Sequence, residues 1–121
     1  MTLLEITREL IALRKKPGTE ERFKSYPRLL QGFTEGLEAC EDVTTLREVI
    51  ALDSGYFLLA GFRQNVLKKW MRLDRSAEVL RLYAMQLMLF GDVDDFGAAD
   101  TNTDAQVTAL EEEAERLEKL N

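Results

Sequence analysis

At 121 residues, with 45% hydrophobic and 31% charged side chains, the chain has the composition of one folded domain, 1–121, not of a disordered tract. It contains no His and a single Cys, which excludes an internal disulfide, thiolate zinc sites and a His general base, leaving Cys40 with no activating partner for nucleophilic work. The net charge of −6 is uneven: residues 1–81 hold 14 basic and 12 acidic side chains, whereas 82–121 hold 2 and 10, so the C-terminal third stands at −8 and repels nucleic acid and anionic membrane.

The opening MTLLEITREL carries acids inside its apolar pattern, unlike a secretory leader. Leu3, Ile6, Leu10 and Leu13 recur at three- and four-residue steps and predict a helix over 2–15, with Glu5 near its start and Arg14 and Lys15 near its end, as the helix dipole favours. Pro17-Gly18 should end it. A second helical segment starts near Thr19. Pro27 should break or kink it, so that the main second helix covers 27–40 with Leu29, Leu30, Phe33 and Leu37 on its apolar side. Gly32 and Gly36, four apart, would let a neighbouring helix come close.

The stretch Asp42-Val-Thr-Thr reads as a capping segment, with Thr45 and Glu48 matching a capping box, ahead of a short helix carrying Leu46, Val49 and Ile50. A fourth helix is expected over 55–73, lined by Leu59, Phe62, Val66, Trp70 and Leu73. A fifth, over 77–90, is interrupted only by Glu78, Arg81 and Gln86; a helix apolar almost all round should be central and covered on several sides. It is too short and polar to span a bilayer, which takes roughly 20 apolar residues. The fourth and fifth helices are expected to form the core hairpin, with Leu80, Tyr83 and Leu87 against Phe62 and Val66. A loop over 91–102 pinned by Phe96 then leads to a last helix over 104–120, with Val107, Leu110, Ala114 and Leu117 as a narrow stripe. No stretch alternates cleanly as a strand. The fold expected is all-α, five to six helices in antiparallel hairpins, as a bundle or a right-handed superhelix.

Three constellations have a chemical reading. Asp100, Asn102, Asp104 and Glu111 match the calcium-loop pattern, but Ala105 stands where that loop needs glycine, and the same residues read as a helix capped by Thr103 or Asp104. Arg63, Lys68, Lys69, Arg72 and Arg75 surround Trp70 and offer a basic face to nucleic acid, although the tryptophan falls on the opposite, apolar side. Glu111, Glu112, Glu113, Glu115 and Glu118 read as a solvated face with i,i+4 ion pairs rather than acid–base pairs. No residue is assigned a catalytic or cofactor-binding role.

The segment AEVLRLYAMQLMLFGDVDD, within 77–95, resembles the first helix and turn of a tetratricopeptide repeat, with Leu80, Tyr83, Ala84 and Leu87 giving the helix and Gly91-Asp92 the turn. The family's second helix starts within a few residues; here the next helix is expected only at 104. The resemblance implies helical hairpins that present a groove to a protein partner, without catalysis. The functional expectation is therefore a non-enzymatic protein–protein interaction module of the cytoplasm, binding another protein or a second copy of itself and not a membrane. A nucleic-acid-associated regulator using residues 63–75 and a calcium-responsive domain using 100–111 are the alternatives.

Overall fold

The computed structural model describes residues 1–16, 20–93 and 100–120, and for 20–23 and 100–102 the backbone alone. Among these residues there are six helices and no strand: α1 (Leu3–Lys15), α2 (Glu20–Ala39), α3 (Val43–Leu52), α4 (Ala60–Leu73), α5 (Ala77–Phe90) and α6 (Asp100–Lys119). The chain is all-α, and the packing divides it into two compact units, 1–66 and 67–121, with the boundary inside α4.

Unit 1 is built on α1. Thr2 caps it through a capping box: its hydroxyl accepts the Glu5 amide at 3.1 Å, and the Glu5 carboxylate accepts from the Thr2 backbone. The Thr2 hydroxyl also donates to the Glu5 carboxylate at 3.0 Å, and this bond, with the backbone one, holds the Glu5 carboxyl below its ordinary value. Leu3, Ile6, Leu10 and Ile11 are buried, and α1 packs on both α2 and α3. The α1–α2 contact is close and antiparallel. A Cβ added at Gly32 would lie 3.2 Å from Ile6 Cδ1, and one at Gly36 would lie 3.4 Å from Leu3 Cδ1. The two glycines therefore do what their spacing suggested, letting α1 settle onto the α2 backbone.

Helix α2 is continuous through Pro27, contrary to the expected break. Pro27 is exposed. Burial of Leu29, Phe33 and Leu37 farther along fixes the helix against its neighbours, and the Phe33 ring meets Phe62 edge-on with centroids 5.3 Å apart. Pro17 and Gly18 lie outside the described residues.

Helix α3 is capped by Asp42, not Thr45. The Asp42 carboxylate accepts the Thr44 amide at 3.1 Å and the Thr45 hydroxyl at 2.9 Å, which draws Thr45 into the first turn. At the other end of α3, Asp53 is buried and acts as a hub. Its Oδ1 accepts the amides of Phe57 (2.7 Å) and Leu58 (3.1 Å), and its Oδ2 accepts from Arg63 Nη1 at 3.0 Å. The same guanidinium nitrogen donates to the Asp53 carbonyl at 2.9 Å. Residues 55–59 are thus held out of the helix expected there, and α4 begins only at Ala60. Tyr56 takes the left-handed conformation, φ 58°, that this path requires, and Arg63 lies 4.5 Å over its ring.

Unit 2 centres on the α5–α6 hairpin. Ser76 caps α5, accepting the Val79 amide, and Gly91 ends it with φ 72°. The bounds of α5 are those its sequence predicts. Val79, Leu80, Tyr83, Ala84 and Leu87 are buried, as are Val107, Leu110 and Ala114 of α6. Helix α6 runs back along α5: Thr103, Asp104 and Val107 share a depression with Leu87, Met88 and Gly91, while Arg75 and Arg81 reach Glu113 and Glu118 near the other end. The last helix starts at Asp100, a turn before the expected 104. Thr, Asn and Asp cost only about 0.7 kcal/mol or less each inside a helix, so the anchored stripe at Val107, Leu110 and Ala114 carries one more turn with it. Phe96 lies outside the described residues.

Two stability experiments test these contacts. Gly36→Ala should raise stability by up to about 1 kcal/mol, because its methyl enters ordinary contact with Leu3 and removes glycine's backbone freedom. Gly36→Leu should lower it by about 1–3 kcal/mol by forcing α1 away. Urea denaturation of the two variants should show these opposite signs. In the same assay Arg63→Met should cost about 3–5 kcal/mol, because it strands a buried carboxylate. Adding Asp53→Asn, which keeps an acceptor for the two amides without a charge, should recover part of that loss.

Candidate functional site

The fifth helix is not covered on several sides. Its buried residues occupy one arc, and Met85, Met88 and Leu89 stand open on the opposite one, exposed by 48%, 59% and 55%. With Arg81 they fall at i, i+4, i+7 and i+8, a single stripe along the helix. Phe90, at the end of the helix, is exposed as well. Fourteen nearly all-apolar residues form α5, but a hairpin with α6 can cover only part of its circumference. The surplus is left facing solvent. Isolated exposed apolar residues are ordinary, but a contiguous methionine and leucine stripe is characteristic of adaptable binding surfaces.

Acidic α6 borders this stripe. Arg81 Nε donates to Glu118 Oε1 at 2.6 Å, with Glu111 and Glu115 adding to the negative field around it. That hydrogen bond holds the Glu118 carboxyl below its ordinary value. Glu115 also pairs with Lys119 at 3.3 Å, the i,i+4 pair its spacing predicts. At the base of α5, Arg75 grips Glu113 with two bonds, Nε to Oε2 at 2.6 Å and Nη2 to Oε1 at 2.9 Å. Hydrogen bonding from Arg75 holds the Glu113 carboxyl below its ordinary value, against a smaller opposing effect of burial. Of these glutamates, Glu118 pairs with α5, Glu113 with Arg75 just ahead of α5, and Glu115 with Lys119 of its own helix.

The basic residues around Trp70 do not come together as a face. Trp70 itself is buried, as are Arg63 and Lys69. Arg63 is engaged with Asp53, and Arg75 lies beyond the end of α4 and is engaged with Glu113. Of the five, Arg72 and Arg75 are exposed and Lys68 half-buried.

The calcium-pattern segment is helical from Asp100 onward. A calcium loop wraps its ligands around the ion in non-helical backbone; in a helix Asp104 and Glu111 stand two turns apart, about 10 Å along the axis. The Asp100 and Asn102 side chains lie outside the described residues. Thr103 and Asp104, read as caps, are inside the helix. No group of three or more Cys, Asp or Glu suited to a metal occurs among the described residues, and no described helix is long and apolar enough to cross a membrane.

A second concavity, about 770 Å³, lies between α1 and α2 over Gly32 and Gly36, with Ile6 and Leu29 in its wall and Glu9, Lys24, Arg28 and Glu35 around it. Its charges are mixed in sign and no buried polar group points to a ligand class. The open α5 stripe was missed in the sequence, although the signal was present: three apolar residues, Met85, Met88 and Leu89, on the face that also carries Glu78 and Arg81.

The chain matches no protein-family model, no curated protein and no solved structure.

The Arg75–Glu113 pair has a definite pH signature. A carboxyl lowered in the folded state gives stability that is present above its unfolded value, roughly 4.3, and lost as pH falls through the lower folded value. Arg75 is half exposed, so the gain is below about 1 kcal/mol. Glu113→Gln should therefore be slightly less stable than the parent at neutral pH, and the two denaturation curves should converge as pH is lowered below the ordinary carboxylate range.

Proposed function

We propose that this chain is a non-enzymatic helical protein–protein interaction module that receives a partner on the open face of α5. The observation that carries the reading is the exposure of Met85, Met88 and Leu89 as one stripe on a helix whose opposite arc is firmly anchored. Methionine side chains are flexible and polarisable, so such a face adapts to an apolar partner surface without rearranging its own backbone. The absence of His from the sequence and the surface position of the glutamates of α6 support the non-enzymatic part of the reading.

The tetratricopeptide resemblance belongs to this reading. What supports it is an antiparallel pair, α5 and α6, with Gly91 ending the first helix, although the connection to α6 is longer than the family's. A cytoplasmic setting, where the lone Cys40 thiol stays reduced, is part of the same proposal.

The test compares the parent with Met88→Lys/Leu89→Lys. Both positions are exposed and lysine is a good helix former, so the folded stability should change by no more than about 0.5 kcal/mol. Affinity capture from a lysate of the source cells, followed by mass spectrometry, should retain at least one protein on the parent that the variant does not retain. Identical captured sets on a folded variant would sink the reading.

A further inference from the structure

We infer that the occupant of the open α5 face is an amphipathic helix whose apolar stripe is flanked by lysine or arginine. The inference rests on the docking role proposed for that face, and it comes from the charges that surround the stripe. At its C-terminal end Met88 shares a depression of about 300 Å³ with Asp104, an exposed acid of α6. At its other end the Arg81 guanidinium is held by Glu118 at 2.6 Å within the field of Glu111 and Glu115. Lys119 pairs with Glu115. Along the edge of the stripe that α6 borders, the described carboxylates Asp104, Glu111, Glu115 and Glu118 therefore outnumber the cations Arg81 and Lys119, within a segment, 82–121, that carries −8.

An apolar strip with an acidic margin selects its partner by charge. In a two-fold dimer with the two stripes antiparallel, the acidic edge would oppose its own copy. An anionic lipid surface meets repulsion from the same acids. A basic amphipathic helix meets apolar contact on the stripe and opposite charge along the edge that α6 borders. From Arg81 to Leu89 the stripe is about 12 Å long, which accommodates two turns of such a helix.

The probe is a fluorescently labelled synthetic helix with one leucine face and lysine on the rest, titrated with the full chain and followed by anisotropy. Its counterpart carries glutamate in place of lysine. The lysine helix should bind and the glutamate helix should not. Met88→Ser/Leu89→Ser, which adds no charge, should weaken binding by about tenfold or more, as loss of a central apolar anchor does. Asp104→Asn/Glu111→Gln should weaken it several-fold while leaving the apolar stripe intact. Equal binding of both helices, still lost in Met88→Ser/Leu89→Ser, would overturn the basic partner and leave the docking face standing. Binding of the lysine helix that ignores Met88→Ser/Leu89→Ser is adhesion to the acidic surface and overturns the inference. Failure of both helices to bind overturns it too, and the docking role then rests on the capture comparison alone. Sedimentation of the parent decides the second copy: self-association lost in Met88→Ser/Leu89→Ser would make this chain its own occupant and end the proposal.

Discussion

A buried carboxylate sets the path of the chain through unit 1. Asp53 closes α3, and with no exposure to water it needs every acceptor position satisfied and a counter-charge nearby. It obtains both from residues that follow it. Two backbone amides, of Phe57 and Leu58, turn the chain back over the end of α3, and Arg63 brings the first turn of α4 to the same point. The cost appears at Tyr56, a bulky residue in the left-handed region. That strain is tolerable because the surrounding bonds determine the loop several times over. The pair thus does more to fix where α4 begins than to add stability, since an apolar replacement of a buried ion pair is often as stable.

In unit 2 the governing constraint is geometric. A helix can hide about half of its circumference against one antiparallel neighbour, and α5 has more apolar surface than that. Its buried arc runs through Val79, Leu80, Tyr83, Ala84 and Leu87, facing a stripe on α6 that is itself narrow. The residues of α6 outside Val107, Leu110 and Ala114 are largely charged, and they face the edge of α5 through ion pairs rather than apolar cover. The hairpin is therefore clasped at its margins by arginine–glutamate pairs and left open on one apolar side.

How much of this was legible follows from which forces are local. Helix α1 and the bounds of α5 were readable because caps and periodicity act within a few residues: Ser76 and Gly91 frame α5 wherever it packs. The glycine pair was readable because its spacing places both residues on one face, and α1 occupies that face. The errors share a different cause. Tyr56 to Leu59 look helical by apolar content, but a carboxylate four and five residues upstream captures the amides of Phe57 and Leu58. Pro27 should interrupt a helix in isolation, yet packing of Leu29, Phe33 and Leu37 outweighs one lost hydrogen bond. Thr45 is a plausible cap until Asp42, an equally good one, takes it as a hydrogen-bond donor. Two of the basic residues around Trp70 are engaged for a similar reason: Arg63 and Arg75 are claimed by carboxylates ten and thirty-eight residues away, distances no local pattern encodes.

The open side of α5 shows the limit most clearly. Hydrophobic periodicity says which residues can be buried, and a helix apolar all round reads as one buried all round. Whether enough neighbours exist to do the burying is a property of the whole chain. Here the helix that returns along α5 spends its surface on glutamates, so the methionine stripe has no cover from it. Acids placed beside an open apolar face also oppose its pairing with a second copy, because each would meet its own image. The same arrangement that leaves Met85, Met88 and Leu89 in solvent is what the proposed basic helix would meet: an apolar stripe with acids along the edge that α6 borders.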